Sequence, residues 1–229
     1  MSAEVPAPHY PMFLNLCGRS VVIVGDGAAA EKKASAFLRY RADVIVISPE
    51  PTDRLREMEA EGLLGLEQRA YARGDLEGVA LVVCAGAPEE VSRQVSRDAD
   101  ARGCPVNVGD APELCNYLIP TSLRRGPLQI AISTSGAAPS VAKRLRDEFK
   151  ASYGEEWGTY VTLLGDVRGL AMDRISDAAE RESVLAEVSA SDLLSRLAAG
   201  EALDAESVLA EFAPPPAKDE APRTTDLEE

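Results

Sequence analysis

Three unbroken apolar runs stand out along the chain: Val21-Val22-Ile23-Val24, Val44-Ile45-Val46-Ile47 and Val79-Ala80-Leu81-Val82-Val83-Cys84, with a shorter fourth at Pro105-Val106-Asn107-Val108. Runs without polar alternation are strands buried on both faces. Between them lie stretches with helical spacing, Glu31 to Leu38, about Thr52 to Glu61, and Pro88 to Arg102, and a weaker strand near Leu64 to Gln68. Alternation of buried strands with helix-length segments predicts an α/β fold: a Rossmann-type, doubly wound parallel sheet with right-handed crossovers. Its ligand is expected at the carboxyl ends of the strands, near Gly25, Ser48, Cys84 to Gly86 and Asn107 to Asp110.

From Gly126 the pattern changes. Pro127 to Ile132 alternates like a half-exposed strand, the loop Ser133-Thr134-Ser135-Gly136-Ala137-Ala138-Pro139-Ser140 follows, and Val141 to Lys150 reads as a basic helix. Residues 153–212 read as short amphipathic helices, with Tyr160, Leu163, Leu164, Val167 and Leu170 or Ala171 at core spacing. The end of the chain, 213–229, is proline-rich and acidic and is expected to be a disordered tail.

Charge sharpens this division. The net charge is −14, yet residues 1–150 hold 20 acidic and 18 basic side chains, whereas 151–229 hold 18 and 6. Nothing in such a balance points to nucleic acid, and none is expected as a partner. No stretch approaches the roughly 18 apolar residues of a membrane span, and the proline-studded N-terminus lacks a signal-peptide hydrophobic region, so the expected compartment is the cytoplasm. Cys17, Cys84, Cys104 and Cys115 form no C-x-x-C pair and His9 is the one histidine, which leaves little material for a metal centre or a Ser/His/Asp triad. The expectation is no metal site.

The chemistry begins at Gly25-Asp26-Gly27-Ala28-Ala29-Ala30, a G-x-G-x-x-A turn between a strand and a helix. Gly25 permits the tight turn, Gly27 lets a pyrophosphate approach the backbone, and Ala30 lets the helix pack close to the strand. The second strand ends Ser48-Pro49-Glu50, so the usual acid that holds a ribose is late by about two positions. The ribose falls either to Glu50 or to backbone groups around Ser48 and Pro49. A second anion site is offered by Ser133, Thr134, Ser135 and Gly136 ahead of a helix carrying Lys143, Arg144, Arg146 and Lys150; an ordinary helix cap on a solvated basic face fits that pattern too.

Four segments together resemble the precorrin-2 dehydrogenases, a family that includes the N-terminal half of siroheme synthases. They are Tyr10-Pro11-Met12-Phe13-Leu14-Asn15-Leu16; Val24-Gly25-Asp26-Gly27 with Ala30 and Lys33; Asn107-Val108-Gly109-Asp110-Ala111-Pro112; and Arg125-Gly126-Pro127-Leu128-Gln129-Ile130-Ala131-Ile132-Ser133-Thr134-Ser135-Gly136 with Pro139. The resemblance implies NAD-dependent oxidation of precorrin-2 to sirohydrochlorin by a homodimer. Its layout would be a Rossmann domain over 1–113, a dimerisation and substrate region over 114–150, and a helical domain over 151–212. It implies that NAD is held by Gly25, Gly27, Ala28, Ala29, Pro49, Glu50, Ala85, Gly86 and Asn107, and that Asp110 is the catalytic base. The polycarboxylate substrate would meet Ser133 to Gly136, Arg124, Lys143 and Arg144. Some relatives also insert iron into sirohydrochlorin, and a non-catalytic NAD-sensing module is a further alternative. Three departures from the family pattern are Asp26, which brings negative charge towards the pyrophosphate unless it pairs with Lys32 or Lys33, Gly109 before Asp110, and Ser135 where glycine is frequent.

Overall fold

The structure, a computed structural model, describes residues 9–109 and 111–213. The expected acidic tail therefore lies outside the described residues apart from Ala213. Two compact units emerge: the first runs to Pro120 and takes in Ser133–Pro139, and the second comprises Thr121–Ile132 and the chain from Ser140 onward.

The first unit contains β1 (Ser20–Val24), α1 (Gly27–Leu38), β2 (Asp43–Ile47), α2 (Asp53–Ala60), β3 (Gly65–Glu67), β4 (Leu81–Cys84), α3 (Glu89–Asp100) and β5 (Val106–Val108). All strands pair in parallel in the order β3-β2-β1-β4-β5, so the strand order reverses between β1 and β4. Successive residues of each strand feed opposite faces. Val21 and Ile23 join Val44, Val46 and Val83 in a core closed by Ala30 and Ala34 of α1 and Leu55 and Met58 of α2. On the other face Val22, Val24, Val82 and Val106 pack against Val95 and Ala99 of α3. This is the doubly wound sheet that the apolar runs predict.

The first unit runs on to Pro120, because the chain after β5 is laced back onto that strand. Asn116 accepts from the Val106 amide through Oδ1 (2.7 Å) and its own amide bonds the Val106 carbonyl (3.1 Å). The edge strand of the sheet is thereby satisfied by side chain and backbone.

In the second unit, β6 (Thr121–Arg125) and β7 (Leu128–Ile132) form an antiparallel hairpin closed by Gly126-Pro127, with Gly126 at φ 51°, the sign a type II′ turn needs at its first central position. β6 has no counterpart in the sequence reading, since Leu123 is its one buried apolar residue. Then come α4 (Pro139–Ser152), α5 (Glu156–Arg174), α6 (Ala178–Ala190), α7 (Leu193–Ala198) and α8 (Ala205–Phe212). The expected short helices include one of 19 residues, α5. Its buried stripe of Tyr160, Leu163, Val167 and Ala171 continues at helical spacing past Gly165 and Gly169, and packing against α6, α7 and α8 outweighs the propensity cost of those glycines.

The hairpin turn is seated on the start of α5. Arg125 donates from Nε to the Tyr153 carbonyl (3.0 Å) and pairs with Glu155 (3.0 Å), and a Cβ on Gly158 would stand 3.0 Å from the Arg125 carbonyl carbon. Alanine normally stabilises a helix by about 1 kcal/mol relative to glycine. Gly158→Ala is expected to lose that gain to the backbone clash and lower stability by about 1 kcal/mol, read as an earlier urea midpoint.

Candidate functional site

The crevice between β1 and β4 is set by two glycines. Gly25 stands at φ 136°, and a Cβ there would lie 2.1 Å from the Ala85 carbonyl oxygen; Gly86 stands at φ 79°, and its Cβ would lie 2.4 Å from the Asp26 carbonyl oxygen. Each loop occupies the space that a side chain of the other would need. The Gly25 amide also bonds the Ile47 carbonyl (3.1 Å) and the Ala85 amide the Val24 carbonyl (2.9 Å), so three strand ends are tied at one point. Gly27 differs: at φ 65° its Cβ would meet nothing within 4 Å. The space above Gly27 is open, and Ala28 and Ala29 beside it are exposed.

α1 begins here with Asp26 as its N-cap, and the Asp26 side chain makes no capping hydrogen bond. First-turn amides uncapped by a side chain, at the positive end of a helix dipole and under an open glycine, fit a pyrophosphate. The Asp26 side chain lies towards Gly86, with Oδ1 3.3 Å from where a Gly86 Cβ would be, and among the described residues it forms no ion pair with Lys32 or Lys33. Lys33 itself is half-buried on α1, and burial together with the neighbouring Lys32 charge lowers its pKa.

At the end of β2, Ser48 is fully buried and its hydroxyl finds no protein partner, while Pro49 and Glu50 are exposed. An orphaned hydroxyl beside an exposed turn is the second feature that suits a polar ligand at this edge. Sequence reading missed the neighbouring contact: Thr52 Oγ1 donates to Glu31 Oε1 of α1 at 2.6 Å. No signal in the chain links residues that stand 21 apart.

At the end of β4, burial pushes the Cys84 thiol up to about 12, which makes it a packing group and no nucleophile. Next to it the Gly109 amide donates to the Cys84 carbonyl (3.2 Å). Asp110 lies outside the described residues. Its neighbours are fixed by Cys115, whose sulfur accepts from the Val108 amide (3.1 Å) and lies 3.4 Å from the Ala111 carbonyl that it can donate to. Asn107 is buried and its carboxamide donates to the Tyr117 carbonyl (3.2 Å), so its side chain serves the loop.

The loop Ser133 to Gly136 forms a tight turn: Ala137 N bonds the Thr134 carbonyl (2.9 Å), and Ser133 Oγ and Thr134 Oγ1 accept from the amides of Ser135 and Ala138 (3.1 Å each). Ser135 sits at φ 50° and Gly136 at φ 82°, which explains why glycine suits position 135. Three amides are used within the turn, and the two hydroxyl protons remain to be donated. In the second unit Lys143 and Arg144 are exposed on α4, where they border a shallow depression with Ser140, Asp147 and Glu148. Arg124 is exposed on β6 with its Nε on the Gly126 carbonyl. A separate cavity of about 570 Å³ lies at the amino-terminal edge of the sheet, bordered by Leu16, Arg19, Val79 and Cys104, opposite the edge where doubly wound folds bind ligands. Among the described residues no three His, Cys, Asp or Glu side chains converge as a metal-ligand set, and no helix is long and apolar enough to cross a membrane.

Comparison with known proteins agrees with this geometry. A family described as NAD(P)-binding matches residues 12–121, and one described as the sirohaem biosynthesis protein central region matches residues 125–152. The siroheme synthase of Methylobacillus flagellatus is 36% identical over 171 residues, covering 75% of this chain and 37% of that protein. The siroheme synthase of Stutzerimonas stutzeri is 34% identical over 203 residues, covering 89% and 44%. The chain thus spans less than half the length of these relatives. Among solved structures, SirC, a precorrin-2 dehydrogenase, superposes with a TM-score of 0.72 at 26% identity over 89% of this chain and 98% of its own.

The two kinds of glycine predict separable effects. Gly86→Ala should cost about 3 kcal/mol or more of stability through strain and backbone overlap. Gly27→Ala should cost only about 1–2 kcal/mol for its left-handed backbone yet weaken dinucleotide binding at least tenfold, because its methyl enters the open cradle. Thermal melts and calorimetric titration with NAD+ read the two separately.

Proposed function

We propose that this chain is a member of the precorrin-2 dehydrogenase family of sirohaem biosynthesis and that it oxidises precorrin-2 to sirohydrochlorin with NAD. The observation that carries this reading is the crevice at the strand-order reversal, where Gly25 and Gly86 interlock and Gly27 leaves an open cradle over the start of α1. Bound NAD would supply the hydride acceptor. In the proposed reaction precorrin-2 loses one hydride and one proton, NAD+ becomes NADH, and the macrocycle gains conjugation.

The proton goes to the Asp110 carboxylate, whose place after β5 is next to the nicotinamide end expected for this fold. On either side of that position Val108 and Ala111 are tied to Cys115 and the Gly109 amide to the Cys84 carbonyl. Ala28 and Ala29 line the cradle with backbone amides, and Ala85 and Gly86 close its far wall. For the many carboxylates of the substrate the first unit offers the hydroxyls of Ser133 and Thr134, in the turn completed by Ser135 and Gly136, and the second unit offers Arg124, Lys143 and Arg144.

The working unit is a homodimer in the cytoplasm. Two observations support a partner copy. A two-stranded hairpin is marginal alone, and β6 and β7 pair only with each other among the described residues. Tyr10, Met12 and Phe13 stand exposed in one short segment. The four cysteines are free, which suits a reducing compartment.

Purified protein given precorrin-2 and NAD+ should produce NADH together with the sirohydrochlorin absorption spectrum; binding of NAD+ without turnover would replace this reading with an NAD-sensing one. Asp110→Asn should keep NAD+ affinity and lower kcat at least about a hundredfold, the scale of a lost general base. Unchanged kcat removes Asp110 from the mechanism. Sirohydrochlorin and ferrous iron supplied without NAD test whether the same chain also inserts metal.

A further inference from the structure

We propose that Glu31 is the residue that makes this site select a dinucleotide with a free adenosine 2′-hydroxyl over one bearing a 2′-phosphate. The inference rests on the reading that NAD lies along the carboxyl edge of the sheet, and it assigns discrimination to a residue on α1 in place of the acid after β2.

In doubly wound folds the turn after the second strand faces the adenosine ribose. Here that turn runs from Ser48 to Thr52, and Glu31 of α1 reaches it with Oε1 on Thr52 Oγ1 at 2.6 Å. The same Thr52 oxygen accepts from the Leu55 amide (3.3 Å) as the N-cap of α2. The hydroxyl proton is committed to a carboxylate and is no longer offered to an anion. Glu31 is half-buried and fixed by this bond, and Oε2 has no partner among the described residues. A fixed carboxylate with a free oxygen accepts a hydrogen bond from a ribose hydroxyl and repels a phosphate dianion.

Of the cations that could reverse this preference, the two arginines of α2 are engaged elsewhere. Arg54 pairs with Glu57 (3.0 Å) and Glu61 (3.8 Å), and Arg56 donates to Gln68 (2.8 Å). Lys32 follows Glu31 directly on α1 and is exposed, and adjacent helical residues do not share a face. Glu50, the acid suggested by position in the chain, is exposed and makes no ion pair among the described residues, so its charge is screened and free to turn to solvent.

The test is calorimetric titration of the full chain with NAD+ and, separately, NADP+, with no tetrapyrrole present. Wild type is expected to bind NAD+ more tightly. Glu31→Gln keeps an acceptor for Thr52, so the start of α2 is preserved, and it should shrink the NAD+/NADP+ affinity ratio by about tenfold, mainly through gain of NADP+. Glu50→Gln should change the ratio by less than about threefold, as for an exposed charge. Should Glu31→Gln fold poorly, Glu31→Ala reads the same ratio. A ratio within about twofold of wild type in the Glu31 variant, or equal binding of both dinucleotides by wild type, overturns the proposal. Binding of neither overturns it together with the cofactor reading, whereas failure of precorrin-2 turnover bears only on the reaction.

Discussion

The whole site depends on one close approach of backbone to backbone. Gly25 and Gly86 each hold a positive φ and each lies where the other loop would strike a Cβ, so the turns after β1 and β4 are pressed together with no side chain between them. This contact fixes the floor of the crevice at the point where the strand order reverses. It also aims α1, whose first turn lacks a side-chain cap, at the space over Gly27. Gly25 and Gly27, two positions apart in one loop, therefore have opposite surroundings: protein fills the space beside the first and leaves the space over the second open.

A second constraint acts at the outer edge. β5 has only three residues, and an edge strand that short needs its free amides satisfied. Asn116 and the Cys115 sulfur do so at Val106 and Val108, which returns the chain alongside the strand. A thiol thus takes the place of a ladder carbonyl. The specificity proposal draws on a contact of longer range, the Glu31 to Thr52 bond, in which residues 21 positions apart meet at the turn after β2.

Much of the first unit was legible from local patterns. Both-face apolar runs mark parallel strands because each such residue has a core on its own side, and Val21 to Val24 divide between the two cores in alternation. Thr52 is legible as a helix cap, and Gly25 and Gly27 as a strand-to-helix turn. β6 was not legible, since a ribbon with one buried apolar residue writes almost nothing into its pattern. The length of α5 was obscured by its three glycines, Gly158, Gly165 and Gly169. Ser135 was visible as a departure from a family glycine, and its φ of 50° supplies the reason that a sequence cannot.

The chain by itself determined the strand and helix order, the winding of the sheet and the edge at which a ligand belongs, because these follow from periodicity and turn chemistry within about ten neighbouring residues. Only the tertiary structure decided which glycine is blocked and which is open, that Cys115 serves as an acceptor, and that Glu31 stands at the β2 turn. Those facts are distances between residues remote along the backbone, and packing, unlike periodicity, leaves no local trace.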